Sequence, residues 1–152
     1  MRAMLSTLLL LAALSGAAAA GAASLVQLDL IDHGILASGD GLAGKEVRIA
    51  QRTERIPGRE GLAFGVTFRL TGSKDGADVA YQTVISFRPA RGAEDGSPRP
   101  RIAKTHHTRI GAEEALWHRL TKEQAAVPGQ WLLRISQGGR VLLEKIFLVE
   151  PE

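Results

Sequence analysis

Residues 62–70 read Leu-Ala-Phe-Gly-Val-Thr-Phe-Arg-Leu, which puts Leu62, Phe64, Val66, Phe68 and Leu70 on one side of an extended chain. Ala63, Gly65, Thr67 and Arg69 fall on the other side. Strand side chains alternate with a period of two, so this is the pattern of a strand with one face in a core. Residues 79–87 repeat it, with Val79, Tyr81, Thr83, Ile85 and Phe87 against Ala80, Gln82, Val84 and Ser86. The polar, glycine-containing residues 71–77 read as a turn, which predicts a hairpin with a longer loop.

The same reading extends outward. Val26, Leu28 and Leu30 alternate with Gln27 and Asp29; Asp32-His33-Gly34 interrupts the pattern and Ile35-Leu36 resumes it. Residues 38–44 hold three glycines and an aspartate and predict a loop. Residues 45–55 predict one strand, with a helical turn as the alternative. Ile56-Pro57-Gly58 should close it, because proline cannot donate to a central ladder and Pro-Gly favours a turn. Residues 88–101 contain three prolines, two glycines and four arginines and predict an exposed loop. Residues 102–110 predict a strand. Residues 112–120 suit either a short helix around Glu113, Glu114, Ala115 and Leu116 or a strand with Leu116 and His118 inward. Val127-Pro128-Gly129 is a turn before a strand over 131–135. Gln137-Gly138-Gly139-Arg140 predicts a tight hairpin turn, since paired glycines accept positive φ. The return strand, 141–149, is apolar on both faces, which leaves its inward side open. Short strands, frequent turns and at most one short helix predict an all-β sandwich in a single domain over 24–152.

The N-terminus has a different character. Arg2, an apolar run over 4–14 centred on four leucines, and small residues over 15–23 follow the order of a secretory signal peptide. Cleavage is expected after Ala20, Ala22 or Ala23. A membrane anchor needs about 20 strongly apolar residues, and the leucine-rich part is shorter. The expectation is a periplasmic or secreted protein, not membrane-spanning after cleavage. The lack of an Arg-Arg pair favours the general export route. The chain has no cysteine. Lipid acylation, disulfide staples, thiol nucleophiles and thiolate metal sites are therefore excluded, and stability must come from packing. The formal charge is +3; Arg2 carries one unit, so the mature chain stands near +2. So modest a charge on an exported chain argues against nucleic acid as a partner.

Leu30-Ile31-Asp32-His33-Gly34-Ile35 resembles the "aspartate, aromatic, glycine, isoleucine" opening of the bacterial DUF3859 family, with His33 in the aromatic position. Residues 53–72, with Arg55-Ile56-Pro57 and Phe64-Gly65-Val66, resemble that family's next block. Val127-Pro128-Gly129-Gln130-Trp131 followed by a Gly-Gly hairpin resembles the closing hairpin of many exported immunoglobulin-like domains. The resemblance implies an immunoglobulin-like antiparallel β-sandwich. The family has no assigned activity, so it implies no catalytic residue and no cofactor.

The residues themselves assign no catalytic, cofactor or metal site. Ser38, Ser73, Ser86, Ser97 and Ser136 lack a nucleophile-elbow context. Asp32 and His33 are neighbours that a strand would point apart. His106, His107 and His118 are the one grouping that suggests a metal. Adjacent strand histidines face opposite ways, however, and ligand spacing is missing. Arg48, Arg52, Arg55 and Arg59 read as a solvated face balanced by Glu46, Glu54 and Glu60. Trp131, just after Pro-Gly, reads as core. The leading expectation is a non-enzymatic module that binds a protein or envelope component, with Arg88, Arg91, Arg99 and Arg101 as partner-contacting residues. The alternative is a periplasmic metal-binding protein using the histidines.

Overall fold

The computed structural model describes residues 26–37, 47–72, 74–90 and 101–152. In chain order its elements are β1 (Gln27–Leu36), β2 (Ile49–Gln51), β3 (Arg55–Pro57), β4 (Ala63–Thr71), β5 (Asp78–Pro89), β6 (Arg101–Arg109), β7 (Glu113–Arg119), α1 (Lys122–Ala125), β8 (Gly129–Gln137) and β9 (Arg140–Glu150). A four-stranded sheet ordered β2-β1-β4-β7 packs on a five-stranded sheet ordered β3-β9-β8-β5-β6. All neighbours are antiparallel except β3 and β9. This is the expected immunoglobulin-like sandwich, with one short helix among the described residues.

The period-two pattern builds the core. Phe64, Val66, Phe68 and Leu70 of β4 are buried, and so are Trp131, Leu133 and Ile135 of β8. In β9, Phe147 and Val149 are buried, so its odd-numbered side faces inward. The interior is joined by ring contacts. Phe64 lies 5.0 Å from Phe147 and 6.1 Å from Trp131, and Phe68 meets Tyr81 edge-on at 5.8 Å. At the tight turn between β8 and β9, Gly138 and Gly139 have φ of 54° and 80°, as the sequence requires.

Four expectations change, and one that was open between helix and strand resolves to the strand. First, β4 and β5 are not a hairpin, because they belong to different sheets. Their apolar faces meet across the interior, as Phe68 and Tyr81 do. Alternation identifies the buried face of a strand and not its ladder neighbour. Second, β1 is unbroken. Leu30 pairs with Phe68 and Asp32 with Thr67, so Ile31 is an extra, bulged residue. The bulge switches the inward face from Leu28 and Leu30 to His33 and Ile35, which makes a continuous strand read as interrupted. Third, residues 45–55 do not form one strand. β2 pairs with β1, while β3 lies parallel to β9 in the other sheet, with Ile56 opposite Val149. Pro57 belongs to β3, where an edge position needs no donor from it.

Fourth, residues 113–119 are a strand with Leu116 and His118 inward, because their backbone completes the ladder beside β4. The helix comes later. The Thr121 hydroxyl caps it by accepting from the Gln124 backbone N–H, and the Thr121 backbone N–H donates to the Gln124 side-chain oxygen. Fifth, the predicted loop over 88–101 is strand at both ends, since Arg88 and Pro89 extend β5 and Arg101 begins β6. Residues 1–23 with the predicted signal peptide, the predicted loop at 38–44, and Arg91 and Arg99 lie outside the described residues.

Candidate binding surface

The inward histidines are held by the fold. His106 stacks on Tyr81 at 5.0 Å and its Nε2 lies 2.9 Å from the Thr83 hydroxyl. Glu114, facing them from β7, accepts hydrogen bonds from Tyr81 and Thr108. His118 stacks on Trp131 at 4.3 Å and its Nε2 lies 2.9 Å from Gln124 Oε1. That oxygen also accepts from the Thr121 backbone, so Nε2 must carry the proton. His107 sits opposite Ala80 on the outer face. The three histidines singled out by sequence thus point to three places. Among the described residues, no three histidine, aspartate or glutamate side chains are grouped to hold a metal ion.

The arginine stripe is also distributed. Arg52 bonds Asp32 at 2.8 Å, Arg55 bonds Glu150 at 2.6 Å and Arg59 bonds Glu152 at 2.9 Å. The partners are thus Asp32, Glu150 and Glu152 rather than the expected glutamates near in sequence. Glu54 turns instead to Lys145, an inward-facing residue of β9, at 2.6 Å, with His33 at 3.9 Å. Asp32 and His33 do point apart, as the strand rule requires. The Arg52 guanidinium holds the Asp32 carboxyl below its usual range.

These buried imidazoles make stability pH-dependent. Burial pushes His33, His106 and His118 below the ordinary histidine value. The unfolded chain takes up protons near pH 6.5, whereas the folded imidazoles resist them. Stability is therefore fullest above that value and falls as pH drops through it towards the folded values. His118→Phe keeps a ring against Trp131 and Phe64 but removes the titration. Its melting temperature should fall less than the parent's between pH 7.5 and 5, which thermal unfolding at both pH values checks.

The outer face of the five-stranded sheet is different. There Ser86, Leu132 and Ile146 form one row across β5, β8 and β9, and Arg88, Gln130 and Leu148 form the next. Ile146 is 48% exposed. Pro89, Ala90, Pro128 and Pro151 close the end of the sheet over a hollow of about 440 Å³. A second hollow of about 250 Å³ adjoins it and shares Arg88 and Gln130. The Ala90 backbone donates to the Pro128 carbonyl at 2.9 Å and ties the rim. Gly129 lets the strands approach here. A Cβ at that position would lie 2.4 Å from the Arg88 carbonyl and 2.7 Å from the Phe87 ring.

Among the described residues, the groove has an apolar floor and one guanidinium, that of Arg88. Arg88 has no acidic partner among the described residues, and Glu150 at the far rim is taken by Arg55. Arg101 stands opposite Ser86, one strand further out. Of the four predicted contact residues, Arg88 and Arg101 thus share one end of one sheet. Sequence reasoning missed Leu132, Ile146 and Leu148. The signal for them was the double-sided apolarity of 142–148, which marks a strand with apolar residues on its outer face as well. An arginine over an apolar floor can bind carboxylate, phosphate or carbonyl oxygens while the floor takes up apolar atoms.

Two packed sheets, antiparallel except for β3 beside β9, with this core define the chain as an immunoglobulin-like β-sandwich domain. A family model described as a domain of unknown function, DUF3859, matches residues 35–149, and the chain belongs to that family. Among solved structures, an immunoglobulin-like protein from Pseudomonas aeruginosa is similar with a TM-score of 0.59 and 27% identity, over 86% of this chain and 100% of that one. A β-glucosidase from Kluyveromyces marxianus in complex with glucose is similar at a TM-score of 0.40 and 15% identity, over 84% of this chain and 14% of that one. A β-glucosidase from Listeria innocua in complex with gluconolactone is similar at a TM-score of 0.42 and 12% identity, over 85% of this chain and 16% of that one. A search of curated proteins found no match.

Proposed function

We propose that the chain is an exported, non-catalytic immunoglobulin-like module that binds a protein or another envelope component through the groove beside Arg88. The observation that carries this reading is an apolar hollow paired with an arginine that no described acidic side chain neutralises. Small concave sites commonly combine an apolar lining with a few orienting polar groups. Among the described residues, Ser86 is the one hydroxyl-bearing residue lining the two hollows, and no histidine lines either. That composition supports binding over nucleophilic chemistry. The basic, apolar and small-residue order of residues 1–23 supports export.

A photo-crosslinking side chain placed at Gln130, and separately at Arg69 on the outer face of the four-stranded sheet, tests the proposal in the intact envelope. Position 130 should give a discrete adduct and position 69 should not. Serine at Arg88, Arg91, Arg99 and Arg101 should then lower the adduct yield. Equal adducts from both faces, or none from position 130, would remove the groove from consideration.

A further inference from the structure

We propose that β6 is an acceptor edge, to which an acidic, extended segment of a partner protein adds as a sixth strand of the five-stranded sheet. The proposal rests on the reading of this chain as a binding module, but it concerns a different surface from the groove.

Four strands end the two sheets. β2 and β3 have three residues each, too few to hold an added strand. β7 carries Glu113, Glu114 and Arg119, so it selects no charge. β6 is nine residues long, pairs only with β5 among the described residues, and is exposed over most of its length. Its sequence, RIAKTHHTR, has two arginines, a lysine and two histidines and no acidic residue. Arg109 is the one basic residue of β6 with an ion-pair partner among the described residues. It meets Asp78 at 3.6 Å with both side chains largely exposed, and such a pair holds weakly.

The hydrogen-bond phase is also set. Ile110 donates to the Ala77 carbonyl at 2.9 Å. In an antiparallel ladder, successive residues alternate between facing the partner and facing away. The pairing of β5 with β6 runs without a register shift. Residues 102, 104, 106 and 108 therefore turn their backbone to β5, and Arg101, Ala103, Thr105, His107 and Arg109 turn theirs outward. This row, unpaired among the described residues, is a template for strand addition. Edge lysines usually blunt such templates. Here the charge has one sign, so it repels a second β6 and favours an acidic strand. The same charges thus exclude one occupant and attract another.

The test uses isotope-labelled protein and two synthetic ten-residue peptides, one alternating valine with glutamate and the other valine with lysine. The glutamate peptide should bind saturably and slow amide exchange at Ala103, Thr105 and His107 by about tenfold or more. The lysine peptide should not. Lys104→Glu with Arg109→Glu should weaken binding by about tenfold. Thr105→Pro removes one outward donor while sparing the β5 ladder, and proline is tolerated at such positions. It should abolish protection while thermal unfolding shows the fold retained. Arg88→Ser should leave peptide binding unchanged. Absence of protection along β6, equal binding of the two peptides, or full binding by Thr105→Pro would overturn the proposal. If Arg88→Ser alone abolishes binding, the peptide sits in the groove, and the edge proposal fails while the groove reading stands.

Discussion

Gly34→Ala should destabilise the protein by about 4 kcal/mol or more, a large fraction of the stability of a domain of this size. Gly34 sits in β1 with φ of 141°, a conformation that residues with a Cβ rarely adopt. The sterics are harsher than the torsion. A Cβ there would lie 2.0 Å from the Gln51 carbonyl, 2.9 Å from the Thr53 nitrogen and 3.0 Å from the Arg52 Cα. All three are backbone atoms, so no rotamer change relieves the clash. This is where the chain leaves β2 and crosses to β3, and Gly34 allows that crossing to press against β1. Gly76→Ala is the control. Its φ is 73°, but nothing lies within 4 Å of the added carbon. The torsional cost alone is about 1–2 kcal/mol. Urea unfolding of both variants separates the two terms. A Gly34→Ala variant as stable as Gly76→Ala would show that the crossing does not depend on the missing side chain.

That crossing also shows what the sequence could and could not reveal. The inward faces of β4 and β5 were legible because alternation reports burial directly. The Gly-Gly turn was legible because its torsions demand glycine. The path between the sheets was not. No local pattern tells a strand beside its neighbour from a strand facing it, so β4 and β5 looked like a hairpin. The β1 bulge was hidden for a related reason, since one inserted residue mimics a break in the period. Pro57 misled because its cost depends on which side of the strand is paired, and that is a property of the sheet. The Arg88 end of the groove was visible as a basic segment. Its apolar floor was not, because Leu132, Ile146 and Leu148 become neighbours only through the register of three strands.

Phe64→Ala should cost about 3–5 kcal/mol, the range for removing a fully buried phenylalanine. Phe64 is 0% exposed and touches both sheets. Its ring meets Phe147 at 5.0 Å and stands edge-on to Trp131 and His118, each at 6.1 Å. The cavity would lie between rigid strands, which collapse poorly, so the cost should fall towards the upper end. A second effect follows from His118. Phe64 helps to bury that imidazole, and burial keeps its proton affinity low. Opening the site lets water reach the ring and returns its titration towards the ordinary value. Phe64→Ala should therefore also reduce the acid sensitivity that His118 confers. In a double-mutant cycle with His118→Phe, the two changes should couple by about 0.5–3 kcal/mol, as contacting residues do. Urea unfolding of the four proteins at pH 7.5 measures the coupling, and strict additivity would show that the two rings are held independently. The consequence reaches the outer face. Trp131, which packs on both rings, lies in β8 between Gln130 and Leu132. The same strand thus carries the centre of the core on one side and the groove on the other. A variant that loosens Phe64 should weaken crosslinking from position 130 with every groove side chain intact.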